Sequence, residues 1–403
     1  DDFNGDLLGP KSYVGSTWGA LSSKYLQLIS SFLSKVDLEA GQLDLWSYDF
    51  RYIPVELISG IYESFLSDDK KDSGAYYTPR HLATLVVDQA FAQTQNILEE
   101  RVYDGACGSG ILLTTAYRRM LAQAEAEAKR QWDFSERIEL LKRNIFGSDI
   151  NTSACRVTAF SLYLSVLEHL EPSDITKLTD RGASKLPDLV GTNICAGATE
   201  GDFFSDSNKH FLEKKFTIFL SNPPWVEPKK KNVLSADVWA KEKKAVVPRR
   251  QLSAAFMLRA LDCMDPNGRL CFILPFSVLG ASTSQQFVRK WLQKCELDVV
   301  INFGDIRKLL FEEAKSPTLV VVARPRSRRP DSFLPETFEY WVPKADISFA
   351  FGRLALHATD RHQVPTSKLA YDNTVLTTLY WGGNQDQSTI SRIGLSGQVG
   401  DMF

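Results

Sequence analysis

The chain has 403 residues, 44% hydrophobic and 24% charged, with a formal net charge of −2. That is ordinary globular composition with ample length for a large core, and it excludes a globally basic binder: any polyanion site must be a local patch. Six cysteines without a CxxC pair argue against a zinc site or disulfide framework and for a reducing, cytoplasmic setting, and no apolar run nears the ~18 residues of a membrane span.

The opening stretch "DDFNGDLLGPKS" has neither an initiator Met nor a signal-like apolar core and reads as a fragment boundary. Residues 1–73 form a helical region in this reading. Tyr25, Leu26, Ile29, Phe32, Leu33 and Val36 recur at helical spacing, as do Leu57, Ile58, Ile61, Tyr62 and Phe65. "DDKKDSG" (68–74) is a polar break. From there to about 330 short apolar strands alternate with helices. "RVYDGACGSG" is a strand and a glycine turn, and a helical stretch over 111–143 follows. "NIFGSDIN" is a second strand, followed by a helix with Thr152 or Ser153 as N-cap. "FTIFLSNPPW", "PNGRLCFILP", "LDVVINFG" and "SPTLVVVA" supply further strands, with helices over "LSAAFMLRALDCM" and "QQFVRKWLQKC" between them. Such alternation predicts an α/β fold with a mostly parallel sheet covered on both faces. "RPRSRRPDS" (324–332) breaks the pattern, and 331–403 reads as a linker or the start of another region.

Four stretches carry chemistry. In "VYDGACGSG" (102–110) a strand runs into Asp104, then glycines 105, 108 and 110. These allow a tight turn and close approach to a ligand. An acid there suits an ammonium or hydroxyl rather than a phosphate, and without GK[ST] the loop is not a P-loop. Alone, it is also a plain strand-to-helix turn. Asp149 of "FGSDI" ends the next strand, where an acid reaches ribose hydroxyls; alone, it is equally a helix cap. Asp202 and Phe203 of "EGDFF" suit an adenine, acid to amine and ring to purine face; alone, a turn before core aromatics is the simpler reading.

The fourth is "SNPPW" (221–225). The Asn222 side-chain carbonyl and the Pro223 backbone carbonyl are two acceptors for one exocyclic amine, drawing it toward sp3 geometry. Pro223 and Pro224 fix the backbone so the acceptors are preorganised. Trp225 offers a stacking face for a base taken out of its duplex.

In this order, and preceded by "GAYYTPRHLATLVV" (74–87), these stretches resemble the gamma class of N6-adenine DNA methyltransferases of restriction–modification and bacterial defence systems, over roughly residues 74–325. The resemblance implies a Rossmann-like, mostly parallel seven-stranded sheet, S-adenosylmethionine as cofactor, DNA as partner and no metal. By position it implies that Tyr77 and Thr78 border the methionine part of the cofactor. Asp104 takes its ammonium on the loop of Ala106, Gly108 and Gly110, and Asp149 holds the ribose. Asp202, Phe203 and Phe256 enclose the adenine. Asn222 and Pro223 accept from the target amine, Trp225 stacks on the base and Phe311 meets it edge-on. Gly105 stands where the family usually has proline, and Trp225 where Tyr is commoner. "PKKKNVLSADVWAKEKKAVVPRR" (228–250) follows the tetrapeptide directly and offers Lys229, Lys230, Lys231, Lys243, Lys244, Arg249 and Arg250 to the DNA backbone. As a bare charge run it is also a solvated loop. Residues 52–67 resemble the helical region that precedes this domain in type I modification subunits, and 377–393 the lead-in to a target-recognition region. The alternatives are another methyl acceptor (cytosine N4, RNA or a protein glutamine) and a cofactor-bound, non-catalytic subunit of a defence complex. Partner subunits or further domains of the same chain are expected, and no membrane.

Overall fold

The computed structural model describes residues 78–170, 186–208, 215–228, 232–310, 316–326, 336–346 and 356–382, with four isolated positions beside them. The helical expectation for 1–73 and the residues Tyr77, Lys229, Lys230, Lys231 and Phe311 lie outside the described residues.

Helix α1 (Arg80–Phe91) leads to strand β1 (Val102–Asp104), then α2 (Ile111–Ala128), α3 (Phe134–Asn144), β2 (Ile145–Asp149), α4 (Thr152–Leu167), β3 (Ile194–Ala196) and β4 (Phe216–Ser221). Next come α5 (Ser235–Glu242), α6 (Leu252–Cys263), β5 (Met264–Pro275), α7 (Gln285–Leu292), β6 (Cys295–Asn302) and β7 (Thr318–Pro325). The series ends with β8 (Thr337–Trp341), β9 (Arg361–Pro365), α8 (Thr366–Tyr371) and α9 (Thr374–Trp381). One nine-stranded sheet collects the strands in the order β3-β2-β1-β4-β5-β7-β6-β8-β9. Strands β3 to β5 of that order run parallel, β7 is antiparallel to both β5 and β6, β8 is parallel to β6, and β9 is antiparallel to β8. The expected seven strands are β1–β7, and β8 and β9 extend them on one side. The expected boundary at 330 therefore does not coincide with an edge of the sheet.

Alternation along the strands explains why they read as unbroken apolar runs. Val102, Ile218, Leu220, Cys271 and Ile273 face one core, with Leu82 and Val86 of α1, Leu113 and Tyr117 of α2, and Leu162 of α4. Tyr103, Phe219, Leu270 and Phe272 face the other, with Phe256 of α6, Trp291 of α7 and Leu376 of α9. With period 2 and both faces covered, both sets of positions in the middle of a strand are mostly apolar. All six cysteines are buried and none is in a disulfide. No described helix is long and apolar enough to cross a membrane.

Local chemistry sets the helix starts. The 111–143 stretch is two helices, because Asp133 and Glu136 form a reciprocal capping box that begins α3. The cap of α4 is Asn151, whose side chain accepts from Ser153 N and Ala154 N. The expected caps Thr152 and Ser153 are already inside the first turn.

Candidate active site

The strand order reverses at the β1–β4 pair: β1 leads outward to β2 and β3, β4 the other way to β5. In an open α/β sheet the crevice beyond the carboxyl ends at such a switch point receives the ligand. Asp104 and Ser221 end these two neighbouring strands, and Asn222 follows at once. Ser221 Oγ donates to Asp104 Oδ1 (2.8 Å), as does the Ala106 amide (3.0 Å). Asp104 is only 2% exposed, and burial pushes its carboxyl up to about 7 against the pull of those two bonds. No described cation pairs with it, so the carboxylate is held where a ligand's ammonium would relieve it.

The turn after Asp104 needs its glycines at two places. Gly108 and Gly110 have φ of +54° and +88°, a region costly for other residues. At Gly110 a Cβ would also lie 2.8 Å from the Thr158 side chain. Thr158 Oγ1 in turn donates to Gly108 O (2.8 Å), so α4 holds the turn from behind. Gly110→Ala is expected to cost about 1–3 kcal/mol of stability, read as a lowered Tm in thermal denaturation. Asp149 joins the same turn: Oδ2 accepts from Gly108 N (2.9 Å) and Oδ1 from Asn151 N (2.8 Å). Its carboxyl is raised by burial, which the two backbone donors only partly offset.

Phe203 and Phe256 meet as a stacked pair, centroids 4.9 Å apart and planes 24° from parallel. Both are buried, so they form one wall rather than two jaws. The Phe203 ring also lies on the glycine turn: a Cβ at Gly105 would meet it at 3.1 Å. A proline there would have to push the ring aside, which accounts for glycine at this position. Asp202, half-buried, accepts from Phe204 N (2.9 Å) through Oδ1.

At the tetrapeptide, Asn222 Nδ2 donates to Thr78 Oγ1 (3.0 Å). Thr78 is itself buried. Pro223 is buried, Pro224 and Trp225 are half-buried, and the indole N–H of Trp225 reaches Ile273 O of β5 (3.4 Å). The "YTP" threonine, the glycine turn, Asp149 and the asparagine thus come together at one crevice. Three contributors carried no signal of their own in the sequence: Ser221 on Asp104, Thr158 behind the turn and Asn151 as cap.

The basic loop differs in part from expectation. Lys243 and Lys244 are exposed at the end of α5. Arg250 instead grips Asp237, Nε to Oδ1 at 2.8 Å and Nη2 to Oδ2 at 2.5 Å, and donates to the carbonyls of Pro228 and Asn232. The guanidinium beside Asp237 holds that carboxyl below the usual range. Arg249 pairs with Glu227 at 3.4 Å on the surface. Leu252 N donates to Val226 O (3.0 Å), so the two ends of the loop meet just behind Trp225. Arg250→Ala is expected to loosen this loop, read as faster limited proteolysis within 228–250, and Arg250→Lys, which keeps the charge without the fork, recovers part of the protection.

An open α/β sheet that gathers a desolvated carboxylate, a glycine turn and a proline-braced amide at its switch point has the layout of a nucleotide-type cofactor site. The chain matches the N-6 DNA methylase family model over residues 55–334 and belongs to that family, with S-adenosylmethionine as its cofactor. The match takes in most of the 52–67 segment. The chain is similar to the type II restriction enzyme and methyltransferase RM.Eco57I of Escherichia coli, 21% identical over 350 residues that cover 74% of this chain and 34% of that protein. It is also similar to the type I restriction enzyme MpnII methylase subunit of Mycoplasma pneumoniae, 23% identical over 287 residues, 69% of this chain and 44% of that one. Among solved structures, the type I restriction-modification system methyltransferase subunit from Streptococcus thermophilus shares the fold at a TM-score of 0.51 and 18% identity, covering 82% of this chain and 64% of that one. The chain spans about a third to under half of the length of the two curated relatives.

The residues present fit the cofactor. A buried carboxylate without a described cation suits its ammonium, the positive-φ glycines admit close backbone approach, and Asp149 keeps lone pairs beyond its two backbone bonds.

Proposed function

We propose that the chain methylates the exocyclic N6 amine of adenine in DNA, acting on a base flipped out of its duplex, within a restriction–modification or phage-defence system in the cytoplasm. The observation that carries this reading is the placement of Asn222, braced on Thr78, next to the Asp104–Ser221 pair at the switch point. The cofactor supplies an already activated sulfonium methyl group. The protein's task is then alignment and electrostatics. Asp104 would hold the methionine ammonium; both of its internal hydrogen bonds fall on Oδ1. Ala106, Gly108 and Gly110 line the turn, Tyr77 and Thr78 would border the methionine part of the cofactor, and Asp149 would take the ribose. Asp202 and the Phe203–Phe256 wall meet the cofactor adenine on one face. Asn222 Oδ1 and the Pro223 carbonyl accept from the target amine, and Trp225 and Phe311 hold the base. No side chain need take the proton before transfer; it leaves to solvent afterwards.

Lys229, Lys230, Lys231, Lys243 and Lys244, with Arg249 at the edge, face the phosphates, while Arg250 shapes their loop. Residues 377–393 are read as the lead-in to a target-recognition region, in this chain or a partner subunit. The test is incubation with labelled S-adenosylmethionine and DNA, followed by digestion to nucleosides. Label in N6-methyladenine is expected; label in N4-methylcytosine or in protein overturns the reading.

A further inference from the structure

Beyond β4 the same rim of the sheet carries a second cleft, of about 470 Å³. Its lining includes Phe276 after β5, the loop after β6 with Asp305, Arg307 and Lys308, and Tyr380 and Trp381 at the end of α9. The walls are fixed by buried polar ties. Asn302 Nδ2 donates to Tyr340 Oη (2.7 Å), and that hydroxyl donates to Leu376 O (2.9 Å), joining α9 to the end of β6. Asn373, at the start of α9, donates to Leu279 O and Ala281 O (2.8 and 2.7 Å). The Tyr380 ring closes on Gly304, where a Cβ would lie 2.8 Å from it. The cleft therefore stands without a ligand to shape it.

Its open side is aromatic and cationic. Trp381 is 79% exposed and braced edge-on against Tyr380 at 4.8 Å. Lys344 Nζ sits 4.6 Å over the Tyr380 ring, Lys308 is exposed and Arg307 half-exposed. Asp305 is the acid of the lining, and its carboxylate accepts from Ala345 N (2.8 Å). The lining itself thus carries two cations, Arg307 and Lys308, and one carboxylate that is already hydrogen-bonded; beside it Lys344 Nζ donates to Tyr380 O (2.9 Å) and Asp386 lies against Gly382. A bare indole flanked by cations complements a sugar–phosphate chain, apolar sugar face to ring and phosphates to charge.

We infer that this cleft holds a sugar–phosphate segment of the DNA strand beyond the target base, with Arg307 and Lys308 on phosphates and Trp381 against a deoxyribose. The inference rests on the proposed function, since it takes the substrate to be DNA.

The test measures binding of a short DNA duplex by fluorescence anisotropy across a salt series, with S-adenosylmethionine present. In Arg307→Gln/Lys308→Gln the slope of log K against log[salt] is expected to be shallower by about 1.8, two phosphates at ~0.9 each. Trp381→Ala is expected to weaken binding severalfold at unchanged slope. Unchanged cofactor affinity, by calorimetry, certifies that the variants fold. Wild-type slope and affinity in all variants overturn the inference, as does a wild-type chain that does not bind DNA. Nucleoside analysis of the same reactions keeps the two readings apart. N6-methyladenine formed by variants with undiminished DNA binding leaves the proposed function and removes the cleft. A salt slope that depends on Arg307 and Lys308 without any N6-methyladenine does the reverse.

Discussion

Asn222→Ala is expected to lower methyl transfer by about 10²–10³-fold, the range for loss of one preorganised group that stabilises developing charge, with cofactor affinity unchanged. The amide is a fixed part: Thr78 holds its nitrogen end, and the following prolines remove backbone freedom that the variant could otherwise use to adapt. Thr78→Val should fall between the variant and the native chain, because it removes the brace and leaves the acceptor. Single-turnover transfer and calorimetry with S-adenosylmethionine separate the two quantities. If binding and transfer fall together in Asn222→Ala, the residue belongs to the cofactor site.

Asp104→Asn should produce the opposite division. Removing one partner of a buried ion pair costs about 3–5 kcal/mol, so cofactor affinity is expected to drop at least a hundredfold. The wild-type chain should also show a pH signature. With its carboxyl pushed up to about 7, Asp104 must lose a proton before it can meet an ammonium. Affinity therefore rises about tenfold per pH unit up to about 7, then flattens and falls once the ammonium itself loses its proton near ~8. In Asp104→Asn that slope disappears. Stability moves in the other direction. The folded-state value lies above the ordinary carboxylate range, so between about 4 and 7 the unfolded chain has released a proton that the folded chain keeps. Cofactor-free stability thus falls as pH rises through that window, and Asp104→Asn is expected to melt higher than wild type at pH 8. Calorimetric titrations from pH 6 to 8, with thermal melts alongside, check both signs.

Much of the sheet and the order of the site were legible because burial on both faces writes itself as runs such as "FTIFL" and "LVVVA". A strand end followed by glycine or proline can be read the same way. Strand β3 ("ICA") escaped because it is as short as β1 but lacks the glycine turn and following helix that marked β1. Strands β8 and β9 escaped for different reasons: "TFEYW" does alternate, with Phe338 and Tyr340 inward, but it is brief. "RHQVP" is a polar edge strand ending in proline. Motif residues were locatable, but their supports were not. Ser221 meets Asp104 across 117 positions and Thr158 meets Gly108 across 50, separations that local pattern cannot report. The reassignment of Arg250 has the same cause: a charge run does not say which of its members already has a carboxylate.

The link from Asn302 through Tyr340 to Leu376 bears on where this unit can be cut. The family match ends at residue 334, yet Tyr340 and Leu376 are wholly buried, and Asn302 nearly so. A chain stopped at that point would lose the Asn302–Tyr340–Leu376 tie, expose the flank of β6 as a new sheet edge and uncover the apolar surface beneath α9. A bare edge invites association. Expression of residues 74–334 is therefore expected to give aggregated protein where 74–382 gives a monodisperse one, as size-exclusion chromatography would show. The smallest independently folding piece is set by a tyrosine hydroxyl well past the last catalytic motif.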